Sequence, residues 1–334
     1  MRQNKTKRIT LRDVAQATGY SVNTISKALR DAPDLNEQTK NSIRTIAREM
    51  GYVVNDMASA LRSGFSNVLA LIISDISNPF FGILCKEVEQ QAAKYGYTVI
   101  VFNTEEDAVR EEWAIRTAVS KNVDGVLLTP SQHSGDGIRL LQEMGKPCVL
   151  IGRYVPDLPA DAVLFDDENG GYLAGKHLTE QGYKNILMLN APYNSSARDR
   201  AAGFARAMAE APGVRSRTVT LKSPLGGTEN ILAEEYAREP FDAVFAYSDL
   251  LALEAACKLE QIGVDSKEIG LVGFDDIQSR LAFPMPLTSV SVGKAAFGEA
   301  LVSLLMQRIS GDVQNFPAHK VLPTTLRIRS STER

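Results

Sequence analysis

Cysteine, histidine and tryptophan are scarce in this chain of 334 residues, which contains three, three and one of them respectively. The cysteines lie far apart in apolar stretches, at Cys85, Cys148 and Cys257. Such spacing excludes a disulfide framework. We expect each cysteine to act as a small buried apolar residue of a protein in the reducing cytoplasm. The histidines are equally dispersed and lack partners at metal-ligand spacing: His133, His177 and His319. The sequence therefore predicts neither a metal site nor a cofactor.

Long apolar runs and phosphate-binding motifs are also missing. No stretch approaches the ~18 apolar residues that a membrane span needs, and polar residues follow the basic start MRQNKTKR where a signal peptide would be apolar. No GxGxxG follows a strand pattern, and neither a P-loop nor a GxSxG elbow occurs. We therefore expect a cytoplasmic protein that is neither bound to a membrane nor an enzyme.

Charge is unevenly distributed along the chain. Residues 1–65 hold 11 Lys/Arg against 6 Asp/Glu, a net charge of +5, whereas the remainder holds 26 against 34, a net of −8. A basic module on an acidic body indicates a polyanionic partner for that module alone. The alternative is a basic tail that is merely solvated.

The first fifty residues show three short helical patterns with clear start and stop signals. Thr10 begins a capping-box pattern, and Ser21 and Asn36 are suitable N-caps for the second and third helices. Gly19 provides a turn between the first two helices, and Gly51 ends the third. The pattern predicts a small three-helix domain.

The second of these helices has an outer face suited to reading DNA. Its apolar residues share one face, whereas Val22, Asn23 and Lys27 lie on the other. In a helix-turn-helix the second helix enters the major groove, where Asn reads adenine, Lys reads guanine and Val contacts a thymine methyl group. The alternative is an ordinary helical bundle with a polar surface.

From residue 68 onward, short apolar runs alternate with helical patterns. VLALII, TVIVF, GVLLT and CVLIG form one series, and VLF, NILMLN, AVFAYS and IGLVGF form a second. Continuous apolar runs are typical of parallel strands covered on both faces. The sequence thus predicts an α/β body with two similar halves, and a ligand between them at the carboxyl ends of the strands.

Chemically useful residues follow several of these strands. An aromatic ring at Phe80, a guanidinium at Arg200 and a carboxylate at Asp275 would together suit a sugar, because rings pack on C–H faces and charged groups hold hydroxyls. Each residue also has a structural alternative. Phe80 could be core, Arg200 could pair on its own helix with Asp199 or Glu210, and Asp275 could cap the following segment.

The segment ITLRDVAQATGYSVNTISKAL closely resembles the N-terminal signature of the LacI/GalR (lactose-repressor) family of bacterial transcription regulators. It departs at Lys27, where Arg is common in the family, and Lys lacks the bidentate fork of Arg. The resemblance implies that residues 55–65 are a hinge that becomes helical on DNA, with Leu61 as a minor-groove wedge. The implied DNA-binding residues are Thr10, Ser21, Val22, Asn23, Thr24, Lys27 and Leu61.

The body resembles the same family through DISNPFF, VLFDDENGGYLAGKHLTEQGY, RDRAAGF, VFAYSDLLALEA and IGLVGFDD. The resemblance implies a periplasmic-binding-protein-like domain that binds a small effector between two subdomains. Gly152 stands where the family often has Asp, which would leave Arg153 free for an anionic effector. The implied effector-binding residues are Asn78, Phe80, Arg153, Asp166, Arg200, Ser248 and Asp275.

We accordingly expect a helix-turn-helix domain over 1–54, the hinge over 55–65 and an effector-binding and dimerisation domain over 66–334. The family's three crossing strands imply a first subdomain of about 66–162 and 292–322. They imply a second subdomain of about 163–291 and 323–334, with HKVLPTTLRIR supplying one last strand.

The most favoured function is a DNA-binding repressor that binds a near-palindromic operator as a homodimer and senses a small carbohydrate. The effector could instead be a purine or a sugar acid within the same architecture. A solute-binding protein is disfavoured by the helix-turn-helix, and a sugar-modifying enzyme by the missing catalytic motifs.

Overall fold

The computed structural model describes residues 9–53, 64–131, 135–191, 194–221, 228–281 and 286–333. The chain divides into two compact units, Met1–Ser66 and Asn67–Arg334. Leu61, most of the predicted hinge and His133 lie outside the described residues.

The first unit is the predicted three-helix domain, formed by α1 (Leu11–Thr18), α2 (Val22–Leu29) and α3 (Glu37–Glu49). All three predicted N-caps are confirmed: the side chains of Thr10, Ser21 and Asn36 each accept a backbone hydrogen bond from the residue three positions on. Gly19 has a φ of 74°, a left-handed conformation that favours glycine. The buried core consists of Val14, Ile25, Ala28, Ile43 and Ala47.

The second unit begins with a six-stranded parallel sheet. Its strands are β1 (Val68–Ile73), β2 (Thr98–Asn103), β3 (Gly125–Leu128), β4 (Cys148–Ile151), β5 (Asp161–Phe165) and β11 (His319–Leu322). They lie in the order β11-β5-β4-β3-β1-β2. The helices that connect successive strands are α4 (Pro79–Lys94), α5 (Ala108–Ser120) and α6 (Asp136–Glu143).

A second six-stranded sheet repeats this arrangement. Its strands are β6 (Asn185–Asn190), β7 (Arg215–Thr220), β8 (Ala243–Ala246), β9 (Gly270–Asp275), β10 (Thr288–Val292) and β12 (Thr324–Arg327). They lie in the order β12-β10-β9-β8-β6-β7, and only the β10–β12 pair is antiparallel. The accompanying helices are α7 (Asp167–Glu180), α8 (Ser195–Ala209), α9 (Thr228–Arg238) and α10 (Asp249–Gln261).

Three connections run between the sheets, after β5, after β10 and between β11 and β12. The expectation of one last strand over 319–329 was wrong. Pro323 separates β11 from β12, and each strand joins a different sheet, because proline has no N–H to continue a ladder. β5 lies wholly in the first sheet, although the expected boundary at 162 divides it.

The last long helix, α11 (Lys294–Ile309), packs on α4 of the first sheet. Near its end, the Arg308 guanidinium contacts both carboxylate oxygens of Asp161 at the start of β5, at 2.7 and 3.0 Å. This buried bidentate pair fastens the helix to the sheet edge that receives β11.

The two described histidines contact other groups of the fold. His177 is buried and its Nε2 contacts Thr332 Oγ1 at 2.8 Å, while His319 Nε2 lies 3.2 Å from the Ala160 carbonyl oxygen. Cys257 is exposed, which contradicts the expectation that all three thiols are buried. In the described parts of the chain, no group of three or more His, Cys, Asp or Glu could hold a metal ion. No described helix is long and apolar enough to cross a membrane.

Helices α7 and α8 approach each other until their backbones touch. A β-carbon at Gly203 would lie 1.8 Å from the Glu168 carbonyl oxygen, and one at Gly171 would lie 2.0 Å from the Arg200 carbonyl oxygen. Both positions therefore require glycine, because backbone atoms on two packed helices cannot move aside separately. This close approach sets the position of Arg200.

Gly203→Ala is expected to lower the free energy of unfolding of the second unit by about 1–3 kcal/mol or more, because overpacking a tight core typically costs this much. Gly82→Ala is a matched control, because Gly82 lies inside α4 with no atom within 4 Å of an added β-carbon. This control should be neutral or stabilising by up to about 1 kcal/mol. Thermal and urea unfolding of both variants test the pair, and equal stability would contradict the α7–α8 contact.

Candidate effector cleft and DNA-reading surface

A cavity of about 770 Å³ lies between the carboxyl ends of the two sheets. Residues that follow β1, β3 and β4 form one side, and residues that follow β6, β7 and β8 face them. Parallel strands place their ligand-binding loops at this edge. Six of the seven predicted effector residues line the cavity: Asn78, Phe80, Arg153, Arg200, Ser248 and Asp275.

Asp166, the seventh, does not line the cavity. It precedes α7, where its Oδ1 accepts a hydrogen bond from the Asn169 N–H at 3.1 Å, and its carbonyl oxygen accepts one from Thr324 Oγ1 at 3.1 Å. The structure therefore places Asp166 as a helix cap beside the connection between β11 and β12.

Arg200 is a buried cation held on several sides. Its Nε lies 2.8 Å from Asp167 Oδ1, and its Nη1 donates to the Tyr247 carbonyl oxygen at 2.6 Å. The guanidinium also lies 3.5 Å from the ring centre of Phe274 and 4.5 Å from that of Tyr247. Burial raises the pKa of Asp167 to about 6, although Arg200 opposes that shift. The alternative that Arg200 pairs on its own helix with Asp199 or Glu210 is wrong, because its carboxylate partner is Asp167 on α7.

Asp275 ends β9 in a left-handed conformation, with a φ of 102°. It is 6% exposed, and within the described residues its carboxylate accepts no hydrogen bond. It does not cap the next segment, because the Ile277 N–H donates to Asp249 Oδ2 at 2.8 Å. Burial raises the pKa of Asp275 to about 7 against the attraction of Arg200 and Lys294. The carboxylate thus offers free acceptor atoms to a ligand.

Arg153 is not free for an anion. Its two terminal nitrogens lie 2.8 Å from the two carboxylate oxygens of Glu106, and Nη1 also donates to the Pro130 carbonyl oxygen at 3.2 Å. Sequence reasoning missed Glu106, which follows β2 in a left-handed conformation with a φ of 57°. The bidentate pair neutralises this side of the cavity.

Aromatic rings form two walls of the cavity. Phe80 meets Phe81 and Phe165 edge to face, with ring centres 5.2 and 6.3 Å apart, so it belongs to both core and cavity. Tyr247 lies opposite, and its hydroxyl contacts Ser196 Oγ at 3.0 Å. Tyr247 was not predicted, although its place directly after β8 was a usable signal.

Buried hydroxyl groups complete the polar surface. The side-chain oxygens of Ser74 and Thr129 are buried, line the cavity and have no hydrogen-bond partner in the described part of the chain. Buried polar atoms are normally satisfied by protein, water or ligand. By contrast, Asn78 and Ser248 accept backbone hydrogen bonds as the N-caps of α4 and α10. The cavity therefore suits a ligand with hydroxyl groups.

Polar contacts connect the two sheets across the cleft. The Tyr154 N–H donates to Ser195 Oγ at 2.9 Å, and the Tyr154 hydroxyl donates to Asp199 Oδ2 at 3.3 Å. On another side, Arg280 Nη2 lies 2.9 Å from Glu87 Oε1 on α4. These contacts join the two sides of the cleft in this structure.

A buried network extends from Asp275 to the crossing segments. The neighbouring Asp276 accepts hydrogen bonds from Arg329 and from Ser291 Oγ, the latter at 2.8 Å. Lys294, the first residue of α11, donates from Nζ to the Asp276 carbonyl oxygen at 2.8 Å. A ligand on Asp275 would therefore act one residue away from the connection that follows β10, which passes between the sheets, and from the C-terminal segment that follows β12.

The side chains predicted to read DNA from α2 lie at or near the protein surface. Val22 and Asn23 are exposed, and within the described residues the Asn23 amide makes no hydrogen bond. Lys27 forms an ion pair with Asp34 in the connection between α2 and α3. The hydroxyls of Thr10, Ser21 and Thr24 serve the helix starts: Thr10 Oγ1 donates to Asp13 at 2.7 Å, and those of Ser21 and Thr24 lie 2.8 Å apart.

The raised pKa of Asp275 predicts a pH dependence of stability. The folded chain keeps this proton up to about pH 7, whereas the unfolded chain loses it near pH 3.8. Because the folded state then binds more protons, stability falls as pH rises through this window, by up to about 4 kcal/mol for this group. Asp275→Asn should remove that part of the decline in melting temperature between pH 4 and pH 7. An unchanged slope in the variant would contradict the burial of a protonated Asp275.

Comparison with known proteins agrees with this geometry. Residues 10–55 match the family of bacterial regulatory proteins, lacI family. Residues 66–330 match the periplasmic binding proteins and sugar binding domain of the LacI family. The chain is 32% identical over 291 residues to the HTH-type transcriptional regulator DegA of Bacillus subtilis (strain 168), covering 84% of this chain and 86% of that protein.

Solved structures share the fold. A lac repressor dimer bound to operator and the anti-inducer ONPF has a TM-score of 0.82 at 21% identity, covering 98% of this chain and all of that one. A complex of the transcriptional regulator CelR with cellobiose has a TM-score of 0.68 at 26% identity, covering 97% of this chain and all of that one. These findings confirm the predicted α/β architecture and a regulator, not an enzyme. The chain thus belongs to the LacI family of bacterial regulatory proteins, as a DNA-binding transcriptional regulator with an effector-binding domain.

Proposed function

We propose that this regulator is a repressor whose effector is a neutral carbohydrate bound in the cavity. The observation that carries the proposal is the charge balance of the cavity wall. Arg153 is paired with Glu106, and Arg200 with Asp167. Among the described residues that line the cavity, no further Lys or Arg occurs, and Asp275 keeps its acceptor atoms available. A wall of paired cations and a free acceptor favours a ligand that donates hydroxyl groups.

Each part of the ligand has a proposed partner. Asp275 accepts hydrogen bonds from two adjacent hydroxyls, and Ser74 and Thr129 bond to others from the opposite side. Phe80 packs against the C–H face of the sugar ring. Because these groups come from both sheets, one ligand would bridge the cleft.

A sugar acid is disfavoured by the same balance. Its carboxylate would need a cation, and taking Arg153 or Arg200 would leave Glu106 or Asp167 buried without its partner. The match to a sugar-binding domain and the likeness to a regulator that binds cellobiose support the carbohydrate class. Purines are retained as a test class, and a solute-binding protein is disfavoured by the N-terminal helix-turn-helix.

The effector is proposed to act by selecting one arrangement of two subdomains, each centred on one sheet. Cleft contacts such as Tyr154–Ser195 and Arg280–Glu87 join the two subdomains in the arrangement seen here, and we propose that they are lost in the other. A ligand that favours one arrangement shifts its population, which changes operator binding through a shared equilibrium. We further propose a cytoplasmic homodimer, whose two-fold symmetry would match a near-palindromic operator.

A thermal-shift panel of neutral sugars, sugar acids, sugar phosphates and purines tests the effector class. A neutral sugar at ~100 times its Kd should add about 2.7 kcal/mol of stability. Asp275→Ala should abolish this shift and the effector response while operator binding survives. Asp166→Asn is the matched control, because it removes a carboxylate outside the cavity and Asn still caps a helix. An undiminished response in Asp275→Ala, or a shift only with acids, would contradict the proposal.

Lys27→Ala tests the reading surface. It should weaken binding to an operator selected from a randomised DNA library by about 5- to 150-fold, the ~1–3 kcal/mol of a good base contact. Effector affinity should stay unchanged, because the substitution lies in the other compact unit. Fluorescence anisotropy with labelled duplexes measures the first quantity. Equal operator affinity in the two proteins would remove Lys27 from the reading surface.

A further inference from the structure

The Lys27–Asp34 ion pair places a carboxylate beside the reading surface of the DNA-binding unit. Lys27 lies in the last turn of α2, and Asp34 follows Pro33 in the connection to α3. Their side chains are 39% and 54% exposed, so both are accessible to DNA. Within the described residues neither side chain is hydrogen-bonded to a third residue. An exposed carboxylate on a DNA-binding surface weakens binding, because its negative charge repels the phosphates. The position of Asp34 therefore calls for another role.

A second acidic residue in the same connection makes the contrast clear. Asp31 pairs with Lys40 and Arg44, at 3.1 and 2.7 Å, and both partners belong to α3. The Lys40 side chain is only 5% exposed, so this cluster holds the connection against the helix. Asp31 therefore has a structural role, whereas Asp34 is directed at a residue of the reading helix.

We propose that Asp34 is a specificity-determining residue that positions Lys27 for guanine and withholds it from phosphates. The inference rests on the proposed role of Lys27 as a base reader. An ammonium on a long stem has no fixed direction, whereas the planar guanidinium of Arg carries its donors in a rigid fork. The Asp34 carboxylate supplies the missing direction, because it fixes the end of the lysine side chain beside α2.

The chemistry of lysine allows both contacts at once. Its ammonium has three N–H donors. One can stay on Asp34 while the others donate to the O6 and N7 acceptors that guanine presents in the major groove. Nonspecific binding rests on contacts with phosphates, and Asp34 both engages Lys27 and repels them. The pair thus lowers affinity for random DNA more than affinity for the operator.

The test compares full-length wild type with Asp34→Asn, Lys27→Ala and the double variant. Asp31→Asn is the matched control, since it removes the same charge from the same connection. The probes are a site selected by wild type from a randomised library, that site with the Lys27-dependent G·C pair changed to A·T, and a random duplex. Kd is measured by anisotropy at several salt concentrations, and melting temperatures confirm that each variant folds.

Asp34→Asn is expected to tighten binding to the random duplex several-fold. It should also reduce discrimination at the G·C pair by about tenfold, which is the scale of one good base contact. The salt slope for the random duplex should steepen by about 0.9, because Lys27 gains one phosphate contact. Asp31→Asn should show neither loss of discrimination nor this step in slope. In the Lys27→Ala background, Asp34→Asn should change discrimination no further.

Each of the following results would overturn the inference. If Asp34→Asn has the same effect with and without Lys27, or if Asp31→Asn reproduces it, Asp34 acts only as a general negative charge. If Lys27→Ala weakens the selected site but Asp34→Asn leaves discrimination intact, this inference fails while the proposed reading surface stands. If Lys27→Ala is itself neutral, the reading role fails first and this inference fails with it.

Discussion

The buried ion pair between Arg200 and Asp167 is the interaction on which the effector cleft depends. It is possible because α7 and α8 touch at Gly171 and Gly203, which brings the two side chains to 2.8 Å. Arg200 then holds the Tyr247 carbonyl oxygen, and through it the end of β8 where α10 begins. A buried charge that loses its partner is strongly destabilising. The pair therefore fixes this side of the cleft before any effector arrives.

Charge pairing also determines which polar atoms of the cavity remain available to a ligand. Once Arg153 and Arg200 are each matched by a carboxylate, Asp275 is an acidic group of the cavity that accepts no hydrogen bond within the described residues, in a strained left-handed conformation next to the connection that follows β10. Such conformations persist only where the surrounding structure holds them in place. A hydroxyl-rich ligand would satisfy Asp275 and the buried hydroxyls together. The same atoms would then recognise the ligand and favour one arrangement of the two subdomains.

Local signals in the sequence predicted much of the fold. Caps such as Thr10, Ser21 and Asn36 and the apolar runs of the buried strands act over a few residues, so their elements were found. The edge strand β7, with the sequence RSRTVT, is mostly polar and alternates in exposure, and it was missed together with α9. β7 lacks the continuous apolar run that identifies buried strands and that β2, the corresponding edge strand of the first sheet, retains in TVIVF.

The partners of the site residues were the part that could not be predicted. Arg153 and Glu106 lie after different strands and meet only when the sheet forms, as do Arg200 and Asp167 on two packed helices. Motif resemblance indicated the residues that face the cavity, such as Asp275, but not what neutralises them. Asp166 shows the limit of that approach, because a residue next to the cleft in sequence became a helix cap.

Coupling between the cleft and DNA is measured by the operator Kd of this protein with and without the neutral sugar identified in the panel. A coupling of about 1–3 kcal/mol predicts a change of 5- to 150-fold, and the operator must change the sugar Kd by the same factor. If the operator Kd is the same without sugar and at saturating sugar, with the sugar demonstrably bound, the cleft and the DNA-binding unit are not coupled.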